Sequence, residues 1–258
     1  MPVNLFVKTE TEIAALRESC AKLAQALEEV LATARPGVTT WELDVLAEKK
    51  IRGAGGIPTF KGYAAGGEIP FPGTICISLN NEVVHGIPLK ERILRAGDIL
   101  KVDIGMTYKG MVSDMARTVA IGPISKDAQR LLETTEKALL AGIAVLKPGA
   151  KMLDYAKAVQ DTAHREGFGV VRDLVGHSVG RELHEDLQIA NYVTKTLPNF
   201  TFVKGMTVAL EPMINQGTWA VRLAPDEWTF VTADGKLSAH FEDTVLITET
   251  GAEILTRP

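Results

Sequence analysis

Residues 97–121 read GDILKVDIGMTYKGMVSDMARTVAI, and this stretch decides the fold class. Two runs of apolar and β-branched residues, Ile99 to Met106 and Met111 to Ile121, lie on either side of Tyr108-Lys109-Gly110. Short apolar runs around a glycine-containing segment are typical of two strands joined by a tight turn. The stretch therefore predicts an antiparallel hairpin.

Each strand of this predicted hairpin carries a carboxylate. A two-residue turn at Tyr108-Lys109 puts Asp103 directly opposite Asp114. A turn at Lys109-Gly110 instead makes the two acids diagonal neighbours, still on one face of the sheet. Side chains directly opposite each other have Cβ atoms about 4.5–5.5 Å apart. Two carboxylates so close on apolar strands repel each other, and both stay ionised only if cations lie between them. A solvated hairpin face is the alternative.

The order of predicted helices is the same in both halves of the chain. Thr9 and Glu12 form a capping-box pattern at the start of the first helix, which Pro36-Gly37 ends. The later helices are predicted at Thr40 to Gly53, Ser125 to Leu146 and Met152 to Gly167, with Pro148-Gly149 between the last two.

The predicted strands repeat in the same way. Gly97 to Asp103 and Gly205 to Glu211 both begin with Gly, continue through a β-branched run and end in a carboxylate. Asp114 to Val119 is similar to Glu242 to Val245. We therefore predict a single α+β domain over residues 1–258, with an N-terminal arm at about 1–8 and internal pseudo-twofold symmetry. Chance similarity between the halves is the alternative.

Composition and charge exclude several classes of protein. The 258 residues are 46% hydrophobic and 23% charged, an ordinary globular composition that excludes disorder and coiled coil. The chain has 28 Lys and Arg against 32 Asp and Glu. The resulting net charge of −4 does not indicate a protein that binds nucleic acid. Cys20 and Cys76 are too few for a disulfide framework, and neither a signal peptide nor a membrane span is evident. These features predict a soluble cytoplasmic protein.

Three residues in the second half have the chemistry of metal ligands. His177 lies between glycines in an apolar stretch, Glu211 ends an apolar run, and Glu242 precedes another. A lone histidine is more often a core residue, but a Glu is almost never fully buried unless it is paired. With Asp103 and Asp114 these residues make an oxygen-rich donor set, which favours Mn²⁺, Fe²⁺ or Co²⁺ and allows Zn²⁺.

The charge of this donor set indicates how many ions it would hold. Two divalent ions neutralise four carboxylates, and such a pair can share a bridging water that becomes a nucleophile near neutral pH. The sequence has no His-Glu-x-x-His, phosphate loop, dinucleotide fingerprint or Gly-x-Ser-x-Gly pattern. The pattern therefore predicts hydrolysis assisted by two divalent metal ions per chain.

The order of these residues resembles that of the type I methionine aminopeptidases, which have the pita-bread fold and belong to peptidase family M24. The segments that carry the resemblance are Asn81 to Pro88, the Asp103/Asp114 hairpin, Gly176 to Glu185, Glu211 to Met213 and Ser238 to Glu242. The resemblance covers nearly the whole chain. It implies an antiparallel sheet covered by two pairs of helices.

The resemblance also implies which residues hold the metal ions. Asp103, Asp114, His177, Glu211 and Glu242 would be the ligands of the two ions, with Asp114 and Glu242 bridging or bidentate. Glu211 would also act in catalysis by moving the proton.

Other residues are implied to contact the substrate. His85 and His184 would bind it and act in catalysis, and Tyr63, Cys76 and Trp228 would line the pocket for a methionine side chain. The alternative is that these last three are core residues that never touch substrate. For Cys76 alone this alternative is the favoured one.

The implied activity is removal of the N-terminal methionine from nascent proteins and peptides whose second residue is small. The implied partners are the N-termini of nascent polypeptides, and a transient ribosome contact is left open. We expect a monomer, with neither a membrane nor a specific nucleic acid as partner.

Four residues and one loop depart from the family pattern. Ser178 stands where the family usually has Gly, and Leu187 stands where Pro is common. Leu183 replaces a frequent aromatic residue or Met, and Asp243 is often His in bacterial members. The loop Ala64 to Phe71 is longer, near the expected substrate entrance. None of these changes removes a ligand, so they concern selectivity rather than hydrolysis.

Two other functions are compatible with the same fold. An Xaa-Pro peptidase resembles this chain only after an extra N-terminal domain, whereas the first helix here begins by Thr9. A non-catalytic protein that binds partners or RNA would be free to lose ligands, and all five are present. Type II aminopeptidases carry a long insertion before the first Glu ligand, for which the short span from His184 to Glu211 leaves no room.

Overall fold

The structure is a computed structural model that describes residues 3–64 and 69–257. The four α-helices of this part of the chain are α1 (Glu10–Thr33), α2 (Thr40–Gly53), α3 (Lys126–Ala144) and α4 (Met152–Arg165), preceded by a 3-10 helix at Val3–Phe6. The strands of the first half are β1 (Ile57–Pro58), β2 (Ile75–Leu79), β3 (Glu82–Val84), β4 (Ile99–Tyr108) and β5 (Met111–Ala120). The strands of the second half are β6 (Gly169–Val170), β7 (Gly176–Ser178), β8 (Glu185–Ile189), β9 (Thr207–Leu210), β10 (Met213–Asn215), β11 (Val221–Leu223), β12 (Phe230–Thr232), β13 (Ser238–His240), β14 (Asp243–Ile247) and β15 (Ala252–Ile254).

The helix starts follow from local capping. The Thr9 hydroxyl accepts from the Glu12 amide, and the Glu12 carboxylate accepts from the Thr9 amide, so both form the predicted capping box of α1. Thr39 and Glu42 make the same arrangement at α2. The four predicted helices are confirmed. The last two end about two residues early. At α3 the Leu146 amide donates to the Ile143 carbonyl in a tighter turn, and Gly167, with positive φ, follows the C-cap of α4.

The register of the hairpin is the second of the two predicted possibilities. Asp114 pairs with Gly105 and Asp103 pairs with Ala116, so the acids are diagonal neighbours on one face. The turn residues are Lys109 and Gly110, with φ of 50° and 78°. Positive φ at both positions is the type I′ geometry that matches the twist of paired strands, and glycine adopts it without steric cost.

All strand pairs in the described part of the chain are antiparallel, in four sheets. β4 has β5 along one edge, and β2 and β1 along the other. The other sheets have the orders β15-β14-β9-β7-β8, β13-β10-β6 and β11-β12-β3. The two halves meet where Ala116 of β5 bridges to Glu242, and the Thr244 hydroxyl accepts from the Asp114 amide.

The two helix pairs cover different parts of the sheets. Helices α1 and α2 pack on β2 and β4 through one apolar core, and α3 and α4 pack on β9, β10 and β14 through another. This arrangement confirms the predicted α+β class, with antiparallel sheet and two pairs of helices. Among the helices described, none offers an apolar stretch long enough to cross a membrane.

Candidate metal centre

A cavity of about 170 Å³ lies where the acidic residues of the two halves come together. One water molecule needs about 10–15 Å³ of cavity volume, so this cavity has room for a group as large as an amino-acid side chain. All ten residues predicted for the site line it, namely Tyr63, Cys76, His85, Asp103, Asp114, His177, His184, Glu211, Trp228 and Glu242.

The four carboxylates in the cavity have no Lys or Arg partner in the part of the chain that the structure describes. Asp103, Asp114 and Glu242 are at least nine-tenths buried, and Glu211 is partly exposed. Burial raises the pKa of each carboxyl group above its ordinary value, because the charged forms lose hydration. The arrangement is electrostatically costly for the protein alone.

Three carboxylate oxygens at the centre also lack hydrogen bonds. Asp103 Oδ1, Asp114 Oδ1 and Glu242 Oε1 are buried, with no partner among the described residues. Buried polar atoms are normally satisfied, so unsatisfied oxygens that converge on one cavity indicate a missing partner. Divalent cations fit this requirement, since carboxylate oxygens are hard ligands and the ions supply the opposite charge.

His177 is held in the state that binds a metal ion. Its Nδ1 lies 3.1 Å from the Ser178 carbonyl oxygen and donates to it, which leaves the lone pair on Nε2. Nε2 is 3.5 Å from Glu211 Oε1 and 3.9 Å from Asp114 Oδ2. Burial lowers the pKa of the imidazole to about 3, so the ring is neutral at pH 7.

The donor atoms form two groups that share one residue. One potential ligand atom each from Asp114, His177 and Glu242 lies within 4.8 Å of the others, and the same holds for Glu211, His240 and Glu242. Two groups with a common carboxylate are suited to two neighbouring ions.

His240 is the member of these groups that the sequence did not single out. It ends β13 two residues before Glu242, and its side chain is almost completely buried. The two-residue spacing was the available signal, because side chains two apart on an extended chain share a face. The imidazole is neutral at pH 7, because burial lowers its pKa to about 4.

His184 and Tyr63 form one side of the cavity. The Tyr63 hydroxyl is 2.5 Å from His184 Nδ1, and the His184 and His177 ring centroids are 4.4 Å apart. Burial lowers the pKa of His184. The contact with Tyr63 fixes the orientation of the His184 ring beside the candidate ligands.

His85 faces the same cavity from another element. It follows β3, has a φ of 59°, and lies with its ring centroid 6.3 Å from that of Trp228 and 6.0 Å from that of Phe230. Burial lowers its pKa to about 4, so this imidazole is also neutral at pH 7. Positive φ is uncommon outside glycine and often marks a functional position.

The rest of the cavity wall is apolar. Besides Tyr63, Cys76 and Trp228, it includes residues that sequence reasoning missed, namely Phe60, Val84, Leu174, Val175 and Met213. These positions have no chemical signature in the sequence, because an apolar cavity wall and an apolar core use the same residue types. Cys76 belongs to an apolar cluster as well as to the cavity, and burial raises the pKa of its thiol well above the usual range.

The departures from the family pattern have different surroundings. Leu183 lines the cavity, whereas Leu187 packs on the core of α3 and α4. Ser178 is buried, and its hydroxyl has no partner among the described residues. Asp243 is buried in ion pairs with Arg117 and Arg257. Residues 65–68 of the loop Ala64 to Phe71 lie outside the described residues.

Comparison with known proteins identifies the family. Residues 14–249 match the model of metallopeptidase family M24. Methionine aminopeptidase 1 from Bacillus subtilis is 45% identical over 255 residues, which are 98% of this chain and 99% of that protein. The chain belongs to the methionine aminopeptidases of this family. The crystal structure of methionine aminopeptidase from Thermotoga maritima is similar with a TM-score of 0.92 and 43% identity, covering 98% of this chain and 99% of that one.

Membership of the methionine aminopeptidase family confirms the predicted resemblance, the pita-bread fold and the enzyme class of metallopeptidase. A prolidase from Pyrococcus furiosus is more distant, with 23% identity and a TM-score of 0.77. That match covers 98% of this chain and 66% of the prolidase, and it shows a common fold only. The M24 family is metal-dependent, which agrees with the donor groups in the cavity.

Proposed function

We propose that this enzyme removes the N-terminal methionine from nascent proteins and peptides whose second residue is small, by hydrolysis assisted by two metal ions. The observation that carries the proposal is the pair of donor groups that share Glu242, at a cavity whose remaining wall is apolar. The identity to methionine aminopeptidases over 98% of the chain supports the choice of substrate.

The predicted ligands Asp103, Asp114, His177, Glu211 and Glu242 would hold the two ions. Divalent ions there would supply Lewis acidity and would lower the pKa of a water molecule toward neutrality. The two ions would be Co²⁺, Mn²⁺, Fe²⁺ or Zn²⁺, which all accept carboxylate and imidazole ligands. Asp114 and Glu242 are the candidates for a bridging role, because the strands bring them from opposite halves to the centre of the site.

Glu211 has the properties of a proton carrier. It is less buried than the other three acids, and burial still raises the pKa of its carboxyl group. A carboxylate with a raised pKa can take a proton from water and return it to the leaving amine near neutral pH. We assign this transfer to Glu211.

His184 and His85 would bind the scissile amide. Both rings are neutral at pH 7, so each can either donate or accept one hydrogen bond on its free nitrogen. Tyr63 occupies Nδ1 of His184, which leaves Nε2 for the substrate. Both line the cavity but belong to neither donor group, which suits positioning of the peptide rather than metal binding.

The apolar wall would select the first side chain. Tyr63, Cys76 and Trp228 face the cavity together with Phe71, and the rings of Phe71 and Trp228 meet edge to face at 5.2 Å. A thioether gains from sulfur–aromatic contacts and fits an irregular apolar space. We expect methionine and norleucine to be accepted, and β-branched or charged first residues to be rejected.

The second residue would lie between His85, His184 and the loop Ala64 to Phe71. We therefore expect Gly, Ala, Ser or Pro at this position to be cleaved, and Leu, Lys or Phe not. In the cell the substrates would be the N-termini of nascent polypeptides, met by a monomeric enzyme.

One assay tests the proposed reaction. Release of free amino acid is measured from Met-Ala-Ser, Met-Lys-Ser, Leu-Ala-Ser and an Ala-Pro peptide, before chelation, after chelation and after adding Mn²⁺, Fe²⁺ or Co²⁺. The proposal requires metal-dependent release of Met from Met-Ala-Ser alone. Full activity in metal-free buffer would contradict the metal mechanism. Comparable release of Met from Met-Lys-Ser or Leu from Leu-Ala-Ser would show a broader aminopeptidase, and cleavage of the Ala-Pro peptide instead would favour the Xaa-Pro alternative.

A further inference from the structure

His240 has an unusual combination of burial and missing contacts. Its side chain is 1% exposed, and Nε2 has no hydrogen-bond partner among the described residues. The backbone around it is fixed, because the Thr118 hydroxyl accepts from the His240 amide at 2.9 Å and donates to the His240 carbonyl oxygen at 2.6 Å. The backbone at His240 is therefore fixed, and the buried ring leaves Nε2 unsatisfied.

The unsatisfied nitrogen points at two candidate ligands. Nε2 is 3.6 Å from Glu211 Oε2 and 3.9 Å from Glu242 Oε2. These separations are too long for hydrogen bonds. Two atoms that each lie about 2.1 Å from one ion are about 3.0–3.4 Å apart, so the three atoms need little movement to surround a common ion.

Glu211 lies between two imidazoles in a symmetric way. Its Oε1 is 3.5 Å from His177 Nε2, and its Oε2 is 3.6 Å from His240 Nε2. His177 belongs to the group with Asp114 and Glu242, and His240 belongs to the other group. Each donor group thus contains one imidazole nitrogen.

We propose that His240 Nε2 is a sixth protein ligand of the metal pair, bound to the ion that Glu211 and Glu242 share. The inference rests on the proposed two-metal function, to which it adds a second nitrogen donor. Glu211 is within 3.6 Å of both imidazoles, so the added nitrogen lies next to the predicted ligands. A softer donor from His240 would also favour Co²⁺, Fe²⁺ or Zn²⁺ over Mg²⁺ at the ion that it binds.

The experiment measures metal binding rather than turnover. Metal-free wild type, His240→Leu, His240→Gln and the control His164→Gln are titrated with Co²⁺ by calorimetry. His164 is an exposed histidine of α4 outside the cavity, so its variant removes an imidazole without touching the site. We expect wild type and His164→Gln to bind two ions alike, and both His240 variants to bind one of the two at least about tenfold more weakly.

A spectroscopic measurement identifies the ligand directly. In the Co²⁺-loaded protein, a coordinated imidazole gives proton resonances shifted far outside the normal range by the paramagnetic ion. We expect His240→Gln to lose one such set that His164→Gln retains. Binding of both ions within twofold of wild type, with every shifted resonance retained, would overturn the assignment.

Two further outcomes are distinguishable. Circular dichroism of the metal-free variants shows whether they fold, and if His240→Leu does not, His240→Gln decides by the same criteria. A wild type that binds two ions in a His240-dependent way but releases no Met from Met-Ala-Ser contradicts the proposed function and supports this inference. A wild type that releases Met while the His240 variants bind both ions normally contradicts only the inference.

Discussion

At the scale of single residues, two buried carboxylates that are neighbours in the sequence, Glu242 and Asp243, have different partners. Asp243 is fully buried, and its oxygens accept from Arg117 at 2.6 Å, Thr256 at 2.7 Å and Arg257 at 2.9 Å. Glu242, its neighbour in the chain, forms no ion pair with Lys or Arg within residues 3–64 and 69–257. The protein therefore compensates the first charge itself, whereas the second is uncompensated, as expected for a metal ligand.

The same contrast holds between Asp114, in the acidic cavity, and Asp243, paired with arginines. It predicts that Asn at position 114 affects metal binding, whereas Asn at position 243 affects stability. Asp114→Asn removes one charge from the acidic cavity and weakens a proposed metal ligand, so we expect metal binding and activity to be lost. The metal-free protein should melt at an unchanged or higher temperature, because like-charge repulsion decreases. Asp243→Asn should instead lower the free energy of unfolding by about 1–3 kcal/mol, since it removes the charge that pairs with two partly buried guanidinium groups.

Metal analysis, peptide assay and thermal melting of the metal-free forms test this pair of variants. A large loss of stability in Asp114→Asn would mean that its carboxylate is structural. Retention of both ions with normal activity would remove Asp114 from the ligand set.

His184 is expected to act on rate without holding metal. His184→Ala should lower kcat by about 10²–10⁴-fold while two ions stay bound, because positioning and acid–base groups contribute to this extent. Tyr63→Phe is the matched control, since it removes only the hydroxyl that contacts His184 Nδ1. We expect a smaller fall in kcat for that variant. Loss of an ion from His184→Ala would show that the histidine roles are wrongly divided.

At the scale of elements, the connection after β3 places His85 by a close backbone contact. The Ile77 amide donates to the Gly86 carbonyl at 2.8 Å, and the Gly86 amide donates to the Ser78 hydroxyl at 3.0 Å. A Cβ at Gly86 would overlap the Ile77 carbonyl. Glycine is therefore required there so that the segment after His85 can pack against β2.

Gly86→Ala is expected to damage both stability and catalysis. Forcing a methyl group into this contact should lower the free energy of unfolding by about 1–3 kcal/mol and shift His85, so kcat should fall. Gly53→Ala at the end of α2 is the control, because its Cβ meets nothing within 4 Å. That variant should stay within about 0.5 kcal/mol of the parent. Denaturant unfolding measures the stability of each variant, and the peptide assay measures its kcat. A normal kcat in Gly86→Ala would show that the contact at Gly86 does not determine the position of His85.

At the scale of the whole molecule, two apolar cores support an acidic centre to which both halves contribute. Asp103 and Asp114 come from the first half, and His177, Glu211 and Glu242 come from the second. An ion bound among them binds the folded chain and not the separated segments. Metal ions should therefore raise the melting temperature. At a metal concentration 100 times Kd, the free energy of unfolding should increase by about 2.7 kcal/mol.

The metal affinity is expected to rise with pH. Burial raises the pKa of the four carboxyl groups, so the metal-free protein holds protons there near neutrality, and binding must release them. The imidazoles of His177 and His240 do not oppose this trend, because their pKa values of about 3 and about 4 leave them neutral. The Kd for Mn²⁺ should fall from pH 6 to pH 8, with proton release seen as a buffer dependence of the calorimetric heat. A Kd independent of pH would show that the carboxyl groups are already ionised.

The sequence by itself determined the features that depend on neighbours along the chain. Thr9 with Glu12 marks a helix start because the capping contacts span three residues. Two apolar runs around Lys109-Gly110 predict a hairpin because strand and turn preferences are local. The acids on those apolar strands predict metal chemistry, since a buried charge needs a partner wherever it lies.

The tertiary structure decided what depends on contacts between distant segments. It chose the register that pairs Gly105 with Asp114, supplied arginines for Asp243, and brought His240 against Glu211. The local pattern allowed two registers for the hairpin, and only the folded sheet selects one. The contacts of Asp243 and His240 join separate elements, so no local pattern predicts them. A histidine before Glu242 becomes a candidate ligand only when sheet packing buries it with one nitrogen unsatisfied.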